Sequence, residues 1–323
     1  MSEFGWLSIY LYYEEPFEAL LVKGIKTFVD PLLEMGMVQR YFFIRYYEDG
    51  PHVRLRIRGE KEVLETLVLP NLKDHFERYF HLEPSVREFE NDNWHNNNSV
   101  KVSDYIPELA RYGGDLGTVV AEKQFYLSSK VVMKVIQKYG EAQWTEELAM
   151  GEAMQLNIAM AFACGMSLQE TIYFFNFFYE HWINASVYQL HLEREAVEAE
   201  KLKWTMLYEE NFNEFRDAIV NQNAALWQIL SEKSEFQEDY MNEWITGNTL
   251  IFNDLDSAYE SSLLSARSEK YSMKSQNIMS SKQLLIWSML CDYVHMTNNR
   301  LGISTHEEAF LAYLIKRSLS EVA

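Results

Sequence analysis

The residues His52-Val53-Arg54-Leu55-Arg56-Ile57-Arg58 alternate without exception between ring or cationic side chains and branched apolar ones. On a β-strand successive side chains point to opposite faces, so Val53, Leu55 and Ile57 would line one side and His52, Arg54, Arg56 and Arg58 the other. Arg45, on the strand-like run before them, is expected to join the cationic face. Like charges side by side on a sheet repel, by up to about 1 kcal/mol per pair. The pattern therefore reads either as a plain solvated face or as a receptor for an anion. Arginine suits the second reading, because its planar fork can grip a carboxylate through two parallel hydrogen bonds.

A second group is Glu108-Leu109-Ala110-Arg111-Tyr112-Gly113-Gly114. Spaced i, i+3, Glu108 and Arg111 would share one face of a helical turn. The glycines would end that turn, and Asp115 could cap the helix that follows. Alternatively the pair is a surface ion pair worth about 0–1 kcal/mol. The third group lies in Met289 to Gly302, read as a helix stopped by Gly302 with polar residues in its last turn. His295 sits there in a mostly apolar setting with Asn299 one turn on. It is either a satisfied core histidine or a proton-transfer group titrating near neutrality. His181 and His191 lack metal-ligand spacing, and no P-loop, Gly-rich dinucleotide fingerprint or GxSxG occurs. No metal and no cofactor is expected.

The elements that would position these groups divide into two textures. Trp6 to Tyr13, Tyr41 to Tyr47 and His52 to Arg58 read as strands, the last two joined by a Gly50-Pro51 turn. Pro16 to Glu34 and Glu60 to Phe80 have helical spacing, with Pro70 expected to bend or interrupt the second. Pro84 to Trp94 is expected to be a fourth strand. That order is the β-α-β-β-α-β, ferredoxin-like arrangement. Beyond an Asn-rich stretch the chain turns helical: 116–139, 151–164, 167–191, 193–232, 240–265, 281–299 and 306–319. The fold class expected is α+β, with a sheet-containing lobe over residues 1–105, a mainly helical lobe over 106–323, and the active site between them. The aromatic run Tyr173 to Tyr179 is most simply a buried helix, and Glu193 to Glu200 a solvated helix face.

The chain has 323 residues and a formal net charge of −19, from 29 Lys+Arg against 48 Asp+Glu. With 48% apolar residues it can build a real core. The charge argues against a broad phosphate-binding surface, since each neutralised phosphate needs a local cation, so no direct nucleic-acid partner is expected. Scarce cations also make the arginine strand conspicuous. Two cysteines, Cys164 and Cys291, are too few for a disulfide framework or a four-ligand zinc site. No secretory signal is evident, and the apolar stretch Met154 to Met166 falls short of the roughly 18 residues a membrane span needs. A reduced, cytoplasmic protein without a membrane partner is the expectation.

Together the three groups carry a resemblance. The run Arg45-Tyr46-Tyr47-Glu48-Asp49-Gly50-Pro51-His52-Val53-Arg54-Leu55-Arg56 resembles the opening hairpin of the C-terminal, glutamate-elimination domain of class I lanthipeptide dehydratases, also called the thiopeptide-type bacteriocin biosynthesis domain. So does Pro107 to Gly114, followed by Ala121-Glu122 and Ser128-Ser129, and so does His295-Met296 followed by Asn299-Arg300-Leu301. The likeness runs from Trp6 to about Gly302. The large N-terminal glutamylation domain is absent, so the chain resembles a stand-alone or split version.

The resemblance implies a lyase of modified-peptide biosynthesis. A separate tRNA-dependent partner would glutamylate Ser and Thr of a leader-bearing precursor peptide, and this chain would eliminate the glutamate to leave dehydroalanine or dehydrobutyrine. It implies Arg54, Arg56, Glu108, Arg111 and His295 as catalytic residues. Arg45, His52, Arg58, Tyr112, Asn299 and Arg300 are expected around them as substrate-binding residues. Arginines on a rigid strand would hold developing negative charge, and a histidine would move a proton as base or as acid. Glu108 would orient an arginine or serve as the other acid/base partner. A homodimer is compatible with this reading. Two alternatives stay open: a pyridine-forming [4+2] cycloaddition enzyme of a thiopeptide pathway, and a non-catalytic precursor-peptide-binding module.

Overall fold

The computed structural model describes residues 3–89, 91–188, 190–191, 194–264 and 279–323. It is α+β, and the chain divides into two compact units: Met1–Glu108 with Phe125–Thr145, and Leu109–Gln124 with Glu146–Ala323. The expected helix ends at Glu193 and Ser265 lie outside the described residues.

The first unit is built on a four-stranded antiparallel sheet, ordered β2-β3-β1-β4. Its strands are β1 (Phe4–Tyr12), β2 (Val38–Tyr46), β3 (His52–Glu60) and β4 (Ser99–Ser103). Between β1 and β2 runs a π-helical stretch, Leu20–Lys26, continued by α1 (Thr27–Glu34). Between β3 and β4 come α2 (Lys61–Val63), a π-helical stretch Leu64–Val68 and α3 (Leu69–Leu82). Pro70 does not interrupt this run. It falls in the first turn of α3, where the wide turns hand over and a missing N–H does least harm.

One face of the sheet is core. Val53, Leu55 and Ile57 are fully buried, as are their neighbours Ile9 and Leu11 and the helical residues Leu20, Leu21, Ile25, Leu72 and Phe76. The free edge of β2 is covered by α4 (Gly114–Tyr139), where the Ser129 hydroxyl accepts the Phe43 N–H at 3.1 Å and Tyr41 bonds Met133 Sδ at 3.4 Å.

The fourth strand is not where the sequence placed it. Residues 84–89 and 91–94 form no strand: Val86 and Phe89 are exposed, and Ser85 is tied down by the side chains of Asn97 and Asn98. The strand forms next along the chain, where Ser99 to Ser103 pairs with Tyr12 to Ser8.

The second unit is helical: α5 (Glu146–Ala163), α6 (Leu168–Tyr188), α7 (Arg194–Glu232), α8 (Asp239–Glu260), α9 (Ser281–Leu301) and α10 (Thr305–Val322). Helix α9 is buried on nearly all sides, with Trp287 packed edge-on between Phe174 and Phe177 of α6. The aromatic run of α6 is accordingly core, apart from exposed Tyr173 and the outer residue Asn176. No helix among the described residues is long and apolar enough to cross a membrane. Cys164 and Cys291 are buried free thiols, and burial alone pushes Cys164 up to about 12.

Candidate functional site

Each unit carries one group of candidate residues. In the first, β3 turns His52, Arg54, Arg56 and Arg58 to the face opposite Val53, as the alternation requires. Register fixes their neighbours: Tyr12, Tyr10, Ser8 and Trp6 of β1 stand opposite them in turn, and Tyr46, Ile44, Phe42 and Arg40 of β2 on the other side. The cations thus lie among aromatic rings. The Arg54 guanidinium is 3.3 Å from the Tyr46 ring centroid and 4.7 Å from that of Tyr10. Arg56 lies 5.3 Å from Tyr10 and 5.7 Å from Tyr105, and Arg58 lies 5.6 Å from Trp6. Cation–π attraction of about 0.5–2 kcal/mol per contact offsets the repulsion between neighbouring arginines.

His52 organises this face. It is fully buried, its Nδ1 donates to the Gly50 carbonyl at 2.8 Å, and its Nε2 accepts from Arg54 Nε at 3.1 Å. Burial, helped by the nearby arginines, holds its pKa at about 4, so the ring is neutral and the accepting nitrogen is available. Arg56 is only 5% exposed, and its Nε and Nη1 have no hydrogen-bond partner. Burial pulls its pKa down to about 10. For Tyr10, burial works upward, but the Ser103 hydroxyl and the charges of Arg54 and Arg56 outweigh it and hold the phenol below its ordinary value.

Arg45 does not join the cationic face. It stands opposite Val53 in register, is buried on the core side, and pairs with Glu18 at 2.8 Å beside the Phe17 ring. As a buried ion pair it fastens the first helical segment to β2.

The Glu108 and Arg111 region differs from the expected helical turn. Residues 104–108 have no regular structure and 109–113 form a turn, so the two side chains do not share a helix face. Gly113 and Gly114 take positive φ, 76° and 90°, which glycine allows at no steric cost. Asp115 lies inside the first turn of α4 and does not cap it. A side chain on Gly117 would overlap the Tyr112 carbonyl, so this segment packs tightly on the helix start. Arg111 is held by a residue the sequence did not single out: its Nε donates to Asp292 Oδ1 of α9 at 2.9 Å.

His295 sits on α9 and is paired with a second unforeseen residue. Its Nδ1 is 2.8 Å from Oε2 of Glu308 on α10, whose other oxygen, Oε1, accepts from Asn298 Nδ2 at 2.9 Å. Asn298 Oδ1 in turn accepts from Asn157 Nδ2 at 3.0 Å. The Trp182 ring lies 4.8 Å from the imidazole, inclined at 34°. Arg300 is fully buried and donates to the Met296 carbonyl of its own helix at 2.6 Å. Burial lowers its pKa to about 9, against the opposing pull of Tyr112. Arg300 and buried Tyr112 are therefore interior residues, whereas Asn299 stays partly exposed. No cluster of potential metal ligands occurs among the described residues.

Comparison with known proteins places this arrangement. The family described as "Lantibiotic biosynthesis dehydratase C-term" matches residues 6–319. The subtilin biosynthesis protein SpaB of Bacillus subtilis is 33% identical over 138 residues, 42% of this chain and only 12% of that protein's length. Among solved structures, the pyridine synthase TbtD from thiomuracin biosynthesis superposes with a TM-score of 0.71 at 16% identity, over 98% of each chain. TsrL gives 0.69 at 15% identity, over 99% of this chain and 95% of the other. The tRNA-dependent lantibiotic dehydratase MibB from Microbispora sp. 107891 gives 0.56 at 18% identity, over 98% of this chain and 28% of the other. With a family match across nearly its whole length, the chain belongs to the lantibiotic biosynthesis dehydratase C-terminal family.

Proposed function

We propose that this chain is a lyase that eliminates glutamate from glutamylated Ser and Thr side chains of a precursor peptide, leaving dehydroalanine and dehydrobutyrine. The observation that carries the proposal is Arg56, a buried guanidinium with two donor nitrogens, Nε and Nη1, unpartnered, fixed on a rigid strand beside Arg54. Donors left unpaired in a dry site cost stability unless an anion completes them. A departing glutamate, or the amide oxygen that gains charge as the α-proton leaves, is such an anion, and preorganised donors stabilise it without reorganising. His295, paired with Glu308, supports proton transfer. Arg111 and Glu108 keep the roles that the family resemblance gives them. In this reading the substrate carries a leader and is glutamylated by a separate tRNA-using protein, and the sheet unit is the ferredoxin-like arrangement.

The test is incubation of the chain with a glutamylated precursor peptide, followed by mass. Loss of glutamate with formation of dehydro residues is expected, and an unchanged mass would reject the proposal. His295→Ala should let glutamylated peptide accumulate.

A second reading, formation of a pyridine from two dehydroalanines by [4+2] cycloaddition, is favoured by the likeness to TbtD. It expects no reaction with glutamylated peptide, but macrocyclisation and leader release from a fully dehydrated one.

A further inference from the structure

We infer that Glu308 is the positioning residue of His295, holding the imidazole proton on Nδ1 and so making Nε2 the nitrogen that takes the α-proton. The inference starts from a directed chain of hydrogen bonds. Asn157 donates its amide N–H to Asn298 Oδ1, which turns the Asn298 NH2 group toward Glu308. The Glu308 oxygen that meets it must accept. Glu308 is 1% exposed, so its carboxyl group has no solvent to satisfy it and must be completed by protein donors. Its remaining oxygen, Oε2, faces His295 Nδ1 at 2.8 Å, and an ionised carboxylate there requires the proton on Nδ1.

The other ring nitrogen is then the reactive one. Nε2 makes no hydrogen bond among the described residues, and the His295 side chain keeps 20% of its surface exposed. The Trp182 ring beside the imidazole limits its rotation. In the elimination, the Nε2 lone pair takes the α-proton and the C–H electron pair moves toward the neighbouring amide oxygen. As that pair returns to form the Cα=Cβ bond the Cβ–O bond breaks, and its electrons leave on the glutamate carboxylate. The imidazolium so formed sits 2.8 Å from Glu308, whose charge balances it until the proton passes to water.

The identity of the transferred proton rests on the elimination reading; the tautomer does not. The experiment is therefore long-range proton–nitrogen NMR of the chain labelled with nitrogen-15 histidine, the His295 signals being those lost in His295→Asn. In the neutral wild-type ring the proton is expected on Nδ1. In Glu308→Gln the amide oxygen is engaged by Asn298, so the Gln NH2 faces Nδ1 and drives the proton to Nε2. That variant should lose about 10²- to 10⁴-fold in kcat on glutamylated peptide, with KM little changed. A proton on Nε2 in the wild-type ring would overturn the inference, even with elimination intact and even where the variant does not fold. So would Glu308→Gln with tautomer and kcat unchanged. An Nδ1–H tautomer in a chain that eliminates nothing would support the positioning and reject the elimination.

Discussion

Arg111 donates to Asp292 at 2.9 Å, and Asp292 stands one helical turn before His295 on α9. One helix thereby anchors an arginine through Asp292 and carries the histidine that Glu308 orients. The Asp292 side chain is 1% exposed, whereas that of Arg111 is about one-third exposed. Such an asymmetric pair has an asymmetric response to mutation.

Asp292→Ala removes a buried partner of a guanidinium that is itself about one-third exposed, so the fold should lose about 1–3 kcal/mol. In the proposed elimination the rate would depend on where the guanidinium is held, and a displacement of about 1 Å can cost on the order of 10²-fold. Chemical denaturation and single-turnover elimination, measured side by side, check this. Activity falling only in proportion to the folded fraction would mean that Asp292 is structural alone.

What could be read from sequence was what is local. The alternation of β3 and the spacing of the long helices need only period two and period 3.6, and each predicted helix of the second unit forms within a few residues of its expected place. Arg45 was misplaced because its face depends on register with β3: standing opposite Val53 puts it in the core, and a slip of one residue would have put it beside the arginines. The fourth strand was misplaced because nothing local says that Ser85 will be claimed by Asn97 and Asn98, leaving the pairing to Ser99–Ser103. Glu308 was hidden by its neighbour. Glu307 closes the capping box on Ser304, and two acidic residues in a first turn read as ordinary helix-start chemistry. Only the packing of α10 on α9 reveals that the second one turns inward.

Arg56→Met should stabilise the fold while abolishing elimination. The native side chain contributes a hydrogen bond with Tyr10 and cation–π contacts with Tyr10 and Tyr105, the latter of about 0.5–2 kcal/mol each. Against that stand a buried charge and two donor nitrogens without a partner, whose desolvation costs several kcal/mol. The second effect is larger, so methionine, similar in length and apolar, should gain about 1 kcal/mol in urea unfolding. Free glutamate should raise the melting temperature of the wild type and not of the variant. A variant less stable than the wild type would show that Arg56 is a fully compensated structural ion and would remove the anion argument.

His52 makes stability depend on pH in a defined window. Its pKa is about 4 in the fold against an ordinary 6.5, because burial disfavours the charged ring. The unfolded chain therefore takes up this proton first as the pH falls. The contribution of the neutral ring is complete above pH 6.5, is lost progressively from there to about pH 4, and changes no further once both states are protonated. At about 1.4 kcal/mol per unit of pKa, the loss across that window is up to about 3 kcal/mol. His52→Gln can still meet polar neighbours but cannot titrate, so denaturation between pH 7 and pH 4.5 should show a shallower loss in the variant than in the wild type. Protonation of the folded protein also removes the acceptor that holds Arg54 Nε, so in the proposed reaction wild-type activity per folded molecule should weaken only as the pH nears 4. Identical pH slopes for the two proteins would place the acid sensitivity elsewhere and leave Arg54 held by its aromatic neighbours and Glu48.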